Sequence, residues 1–193
     1  HPVFAVDVSL SSNPERMNVW LKLMKGILEG NRDVMDRFAV MFFNVETFWW
    51  QERFVENSPE AVAKLMEFAE SLALEGATDL GAAVAEAATP AWQPPIKALI
   101  SSDLFLLSDG ASTWGEGDLY ALAAKAGGFL HPRVFAYTTG FAGTDTRALE
   151  HLARQTGGAV FSVTGEAEIA AASKAHRSRP WRLEGANVRL GAD

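Results

Sequence analysis

Val3-Phe4-Ala5-Val6-Asp7-Val8-Ser9-Leu10-Ser11-Ser12-Asn13-Pro14-Glu15 is the stretch whose reading decides the fold. Its first four residues are apolar without alternation, the pattern of a strand buried on both faces. Its end, Asn13-Pro14-Glu15, is a helix start with a capping side chain and a proline in the first turn. Between them Asp7, Ser9 and Ser11 place a carboxylate and two hydroxyls at alternate positions of a strand-to-helix turn. That turn lies at the carboxyl end of the strand, where open α/β sheets bind ligands.

Working outward, residues 14–29 form an amphipathic helix, with Met17, Trp20, Leu21, Met24, Ile27 and Leu28 at helical spacing and Gly30 as its expected stop. Residues 38–43 are a second buried strand. A tight connection through Asn44 and Glu46 leads into 47–50, an antiparallel edge strand, because a parallel neighbour needs a long crossover. Ser58-Pro59-Glu60 opens a helix to about residue 74, and Thr78 or Asp79 caps an alanine-rich helix over 80–88. Pro90, Pro94 and Pro95 keep the next segment irregular. Residues 104–107 form a strand that ends at Ser108-Asp109-Gly110.

The second half alternates: a helix from Asp118 to Lys125 stopped at Gly127-Gly128, a strand at 134–137, a helix over 145–155 stopped at Gly157-Gly158, a strand at 159–163, and a helix over 166–176. Alternating strands and helices with buried apolar strands predict an α/β fold, a Rossmann-like three-layer α/β/α domain. Right-handed crossovers and one early hairpin predict a mostly parallel six-stranded sheet in the order 3-2-1-4-5-6, with one antiparallel edge strand. In that order the strands ending at Asp7 and Asp109 are neighbours and flank the switch point. The domain is expected over 1–178. Residues 179–193 are expected to form a C-terminal extension leading into a further part of a longer protein, since the chain also begins inside its first strand.

Composition narrows the function. The 193 residues carry a formal charge of −7, with no Lys/Arg cluster, which argues against a nucleic-acid partner. There is no cysteine, so disulfides, thiolate nucleophiles and zinc-thiolate sites are excluded. No apolar run is long enough to span a bilayer, so no direct membrane insertion of these residues is expected. The four histidines make no pair at ligand spacing.

Asp7, Ser9, Ser11 and Asp109 converge at the switch point, and Thr78 arrives on the loop before the third helix. All are hard oxygen donors, which suit Mg²⁺ or Mn²⁺ rather than zinc or copper. Taken singly, each serine reads as a turn residue, and Asp109 before Gly110 as a simple turn. Taken together they resemble the metal-ion-dependent adhesion site of von Willebrand factor type A domains: Asp-x-Ser-x-Ser at 7–11, a Thr within Gly76-Ala77-Thr78-Asp79-Leu80, and Leu107-Ser108-Asp109-Gly110. The resemblance covers nearly the whole chain.

That resemblance implies a divalent-metal-dependent protein-binding module with no enzymatic activity, whose Mg²⁺ holds an exposed Asp or Glu of a protein ligand. It implies metal ligation by Asp7, Ser9, Ser11, Thr78 and Asp109. Leu10 departs from the glycine of many members and is expected to alter packing rather than binding. The segment Arg179-Pro180-Trp181-Arg182-Leu183 is similar to the inter-α-trypsin-inhibitor-like subset, which implies an extracellular, periplasmic or membrane-attached setting.

The alternative is a metal-assisted α/β hydrolase or phosphotransferase using the same crevice. Against it, Ser9 stands where a haloacid-type phosphatase needs a second Asp, and no Gly-x-Ser-x-Gly elbow, dinucleotide turn or P-loop is present. Two carboxylates facing solvent should repel each other without metal, so removing Asp7 or Asp109 is expected to leave the fold intact or slightly more stable.

Overall fold

A computed structural model describes residues 1–93, 103–115, 117–118, 121, 133–140 and 142–175. The strands are β1 (Val3–Asp7), β2 (Arg37–Phe43), β3 (Thr47–Trp49), β4 (Val55–Glu56), β5 (Leu104–Leu107), β6 (Val134–Thr138) and β7 (Ala159–Ser162). The helices are α1 (Pro14–Gly30), α2 (Pro59–Glu70), α3 (Leu80–Ala88), α4 (Thr146–Thr156) and α5 (Glu166–Ala175), and a 3₁₀ turn over Leu10–Ser12 precedes α1. The expected helix from Asp118 to Lys125, the irregular segment at Pro94-Pro95 and the extension over 179–193 lie largely or wholly outside the described residues.

The sheet order is β3-β2-β1-β5-β6-β7, with β1, β2, β5, β6 and β7 parallel and β3 antiparallel to β2. This is the expected order. Among the described residues a seventh strand joins the six expected: Val55–Glu56 pairs antiparallel with Arg37 and Phe38 beside the hairpin. Two residues are too few to show any hydrophobic period.

Period-two alternation divides the core between two faces. Phe4, Val6, Val40, Phe42, Phe105 and Phe135 point to the side covered by α1, α2 and α5. Val3, Ala5, Ala39, Met41, Leu104 and Leu106 point to the side of α3 and α4. β1, β2, β5 and β6 are therefore apolar on both faces, as a central parallel sheet requires.

Cap chemistry sets the helix ends. The Asn13 side chain accepts from Arg16 N, Ser58 from Ala61 N, Asp79 from Ala82 N, and Asp145 from Arg147 N and Ala148 N. Gly157, at φ 73°, closes α4 in the left-handed region, as expected. α1 ends at Gly30 itself, and Asn31 follows as its cap, donating its side-chain amide to Ile27 O at 2.6 Å and to Ser173 O at 2.9 Å.

Candidate metal centre

β1 and β5 are adjacent and parallel, so their carboxyl ends deliver Asp7 and Asp109 to one crevice. Asp7 is fully buried. Its Oδ1 accepts from Ser9 N at 3.0 Å and its Oδ2 from Ser108 Oγ at 2.8 Å, and Ser108 Oγ accepts in turn from Gly110 N at 3.1 Å. Burial raises the Asp7 pKa above the usual carboxylate value, and the nearby Asp109 charge adds to the rise. The hydrogen bonds from Ser9 and Ser108 oppose it.

The 3₁₀ turn after β1 brings Ser9 Oγ and Ser11 Oγ to 2.9 Å from each other. The Thr78 loop is tied to the same turn by main-chain bonds, Leu10 N to Gly76 O at 3.1 Å and Glu75 N to Val8 O at 3.0 Å. It is tied to the segment after β5 by Thr78 N to Thr113 Oγ1 at 2.9 Å and by Thr113 N and Trp114 N to Thr78 O, both 3.0 Å. All five residues expected at the site therefore lie at the carboxyl end of the central strands. Asp79 is a helix cap.

Asp109 does not face solvent. It is buried, its Oδ1 accepts from Ala111 N at 3.0 Å, and its Oδ2 accepts from an Arg16 guanidinium nitrogen at 2.9 Å. Arg16 is itself 1% exposed. The sequence reading missed Arg16. The signal was present, because position 16 lies one helical turn before Trp20 and on the same apolar stripe, where an arginine must find buried partners.

The donor set fits a hard cation. Thr78 Oγ1 is buried and has no hydrogen-bond partner among the described residues, a state that costs about 1–3 kcal/mol unless something else uses the lone pairs. The 2.9 Å between Ser9 Oγ and Ser11 Oγ matches adjacent ligands of an octahedral ion, which stand about 3 Å apart for bonds of about 2.1 Å. No group of three or more His, Cys, Asp or Glu side chains gathers among the described residues; the oxygens at this end of the sheet are two carboxylates and three hydroxyls. Such a donor set suits Mg²⁺ or Mn²⁺.

Two large apolar side chains stand exposed around this end of the sheet, Leu10 at 71% and Trp114 at 63%. Leu10 also borders a groove of about 570 Å³ between the start of α1 and the end of α2, lined by Met17, Leu21, Leu72 and Leu74.

A doubly wound α/β domain with an oxygen-lined crevice at its topological switch point defines the class. Residues 3–161 match the von Willebrand factor type A domain family, and the chain belongs to it. The fold is shared with an aerotolerance-related membrane protein from Bacteroides fragilis (TM-score 0.66, 16% identity, covering 92% of this chain and 96% of that one). It is shared with a von Willebrand factor type A protein from Catenulispora acidiphila (TM-score 0.62, 15% identity, 90% and 40%). It is also shared with proximal thread matrix protein 1 from the mussel byssus, solved with zinc in its adhesion motif (TM-score 0.57, 16% identity, 89% and 45%). No curated protein matches the sequence significantly. None of these comparisons singles out the inter-α-trypsin-inhibitor-like subset. Among the described residues, no helix is long and apolar enough to cross a membrane.

Proposed function

We propose that the chain is a divalent-metal-dependent protein-binding module, with Asp7, Ser9, Ser11, Thr78 and Asp109 holding Mg²⁺ or Mn²⁺ directly or through water. The observation that supports the reading is the buried Thr78 hydroxyl, without a hydrogen-bond partner among the described residues, on the loop tied to the turn that carries Ser9 and Ser11. When bound, the metal supplies an electrophilic position for one further anionic oxygen. The ligand is a protein with an exposed Asp or Glu. Leu10 and Trp114 give its neighbouring residues apolar contact, as exposed apolar groups around a binding site do.

The module works by holding its ligand, without catalysis. The mussel neighbour with a zinc-occupied motif supports metal binding by this fold. The membrane protein from Bacteroides fragilis and a minor pilin from Streptococcus sanguinis support an extracellular, periplasmic or membrane-attached setting. The functional unit is the domain over 1–178.

Calorimetric titration with Mn²⁺ tests the reading. The wild type should bind one ion, and Asp7→Ala should bind none while unfolding cooperatively. Undiminished binding by a folded Asp7→Ala variant would overturn the assignment.

A further inference from the structure

Arg16 places a buried positive charge inside a crevice that the proposed function gives to a cation. Its guanidinium donates from Nη1 to Asp109 Oδ2 at 2.9 Å and to Ser11 O at 2.6 Å, from Nε to Thr139 Oγ1 at 3.2 Å, and from Nη2 to Ala142 O at 2.9 Å. Those acceptors belong to the turn after β1, the end of β5 and the loop after β6. The guanidinium also lies 6.0 Å from the Trp20 ring. A planar donor fork held by acceptors from three segments is a fixed part of the crevice, and a lysine in its place would keep the charge without the fork.

The charges follow. Asp7 and Asp109 bring two negative charges, and the Arg16 guanidinium, paired with Asp109, cancels one of them. An arriving divalent ion therefore meets one net negative charge. Asp109 is also held by Ala111 N, at 3.0 Å from its other carboxylate oxygen, so Arg16 is not its only anchor.

We propose that Arg16 is the resident counter-charge of the metal centre: it stabilises the crevice without metal and weakens its hold on the bare ion. The loaded crevice then carries one net positive charge, which suits an incoming carboxylate. Arg16 is a positioning residue in this role, since it touches Asp109. The proposal rests on the metal-binding reading above.

Mn²⁺ alone, followed by electron paramagnetic resonance of the free ion, tests it on wild type, Arg16→Gln and Arg16→Lys, with circular dichroism verifying each fold. Arg16→Gln should bind Mn²⁺ at least about tenfold more tightly than wild type, because a unit charge this close acts through a low-dielectric interior. Arg16→Lys keeps the charge and should stay within about threefold. Equal or weaker binding by Arg16→Gln, or equal tightening by Arg16→Lys, would overturn the counter-charge role.

Should Arg16→Gln not fold, the same substitution in an Asp109→Asn background removes both members of the buried ion pair together. It should then bind at least about tenfold more tightly than Asp109→Asn alone, and equal binding would overturn the role. Binding that Asp7→Ala abolishes, but that wild type and Arg16→Gln share equally, overturns the counter-charge alone. Absence of binding in every folded variant overturns the metal reading with it.

Discussion

Asp7 and Asp109 bring the same charge to one crevice, and their partners make them behave differently. Burial holds the Asp7 pKa up against the hydrogen bonds that it accepts from Ser9 and Ser108, and the Asp109 charge adds to the rise. A raised carboxyl pKa means that the stability tied to this group is fully present below the unfolded value, about 3.9, and is lost as pH rises through the folded value. Without metal, Asp7→Asn should therefore raise the thermal midpoint at neutral pH. An amide can accept from Ser9 N and donate to Ser108 Oγ in the same place. The gain should shrink as pH falls toward the usual carboxylate range; thermal unfolding in chelator across that range measures it, and a gain that grows on acidification would contradict the assignment.

Asp109 is the opposite case, because its removal strands the buried Arg16 guanidinium. Asp109→Ala should cost about 3–5 kcal/mol in urea unfolding with chelator. This reverses the near-neutral effect that two repelling, solvent-facing carboxylates would give. The residue types of the site were legible because Asp-x-Ser-x-Ser, Thr78 and Ser108-Asp109-Gly110 sit at the ends of readable elements. For Arg16 the apolar stripe it shares with Trp20 signals burial, but its partners are hidden, since Asp109, Thr139 and Ala142 lie 93 to 126 positions away.

At the scale of elements, caps and apolar periods carried most of the fold. The strand order followed from uninterrupted apolar runs and one short connection. What stayed hidden is what depends on through-space contact: the two-residue β4, and the bonds from Asn31 to Ile27 and Ser173 that cap α1 just past Gly30. The end of α4 separates two kinds of glycine. Gly157 needs its positive φ, 73°, but has open space around it. Gly158 lies where an added Cβ would stand 1.9 Å from Val134 O, so β7 can begin beside β6 only with no side chain there. Gly157→Ala should cost about 1 kcal/mol. Gly158→Ala should cost about 2 kcal/mol or more, as the turn is forced off β6. Urea midpoints of the two variants decide this, and equal effects would show that β6 yields to the turn.

Over the whole molecule, a formal charge of −7 repels an acidic ligand at long range, and salt screens that repulsion within about 10 Å at 0.1 M. Contact must reverse the sign locally, and the crevice at the switch point is where it can. There an ion would face two carboxylates, three hydroxyls and a buried arginine, with Leu10 and Trp114 exposed around that end of the sheet. The sheet brings the site together because β1 and β5 are neighbours while their connections leave in opposite directions. The central claim is that this crevice holds a divalent ion through oxygens alone. Crystals of the domain grown with Mn²⁺ and measured for anomalous scattering test it most directly. The account predicts one strong anomalous peak within about 2.5 Å of both Ser9 Oγ and Ser11 Oγ. A peak elsewhere on the molecule, with none between those two hydroxyls, would contradict it.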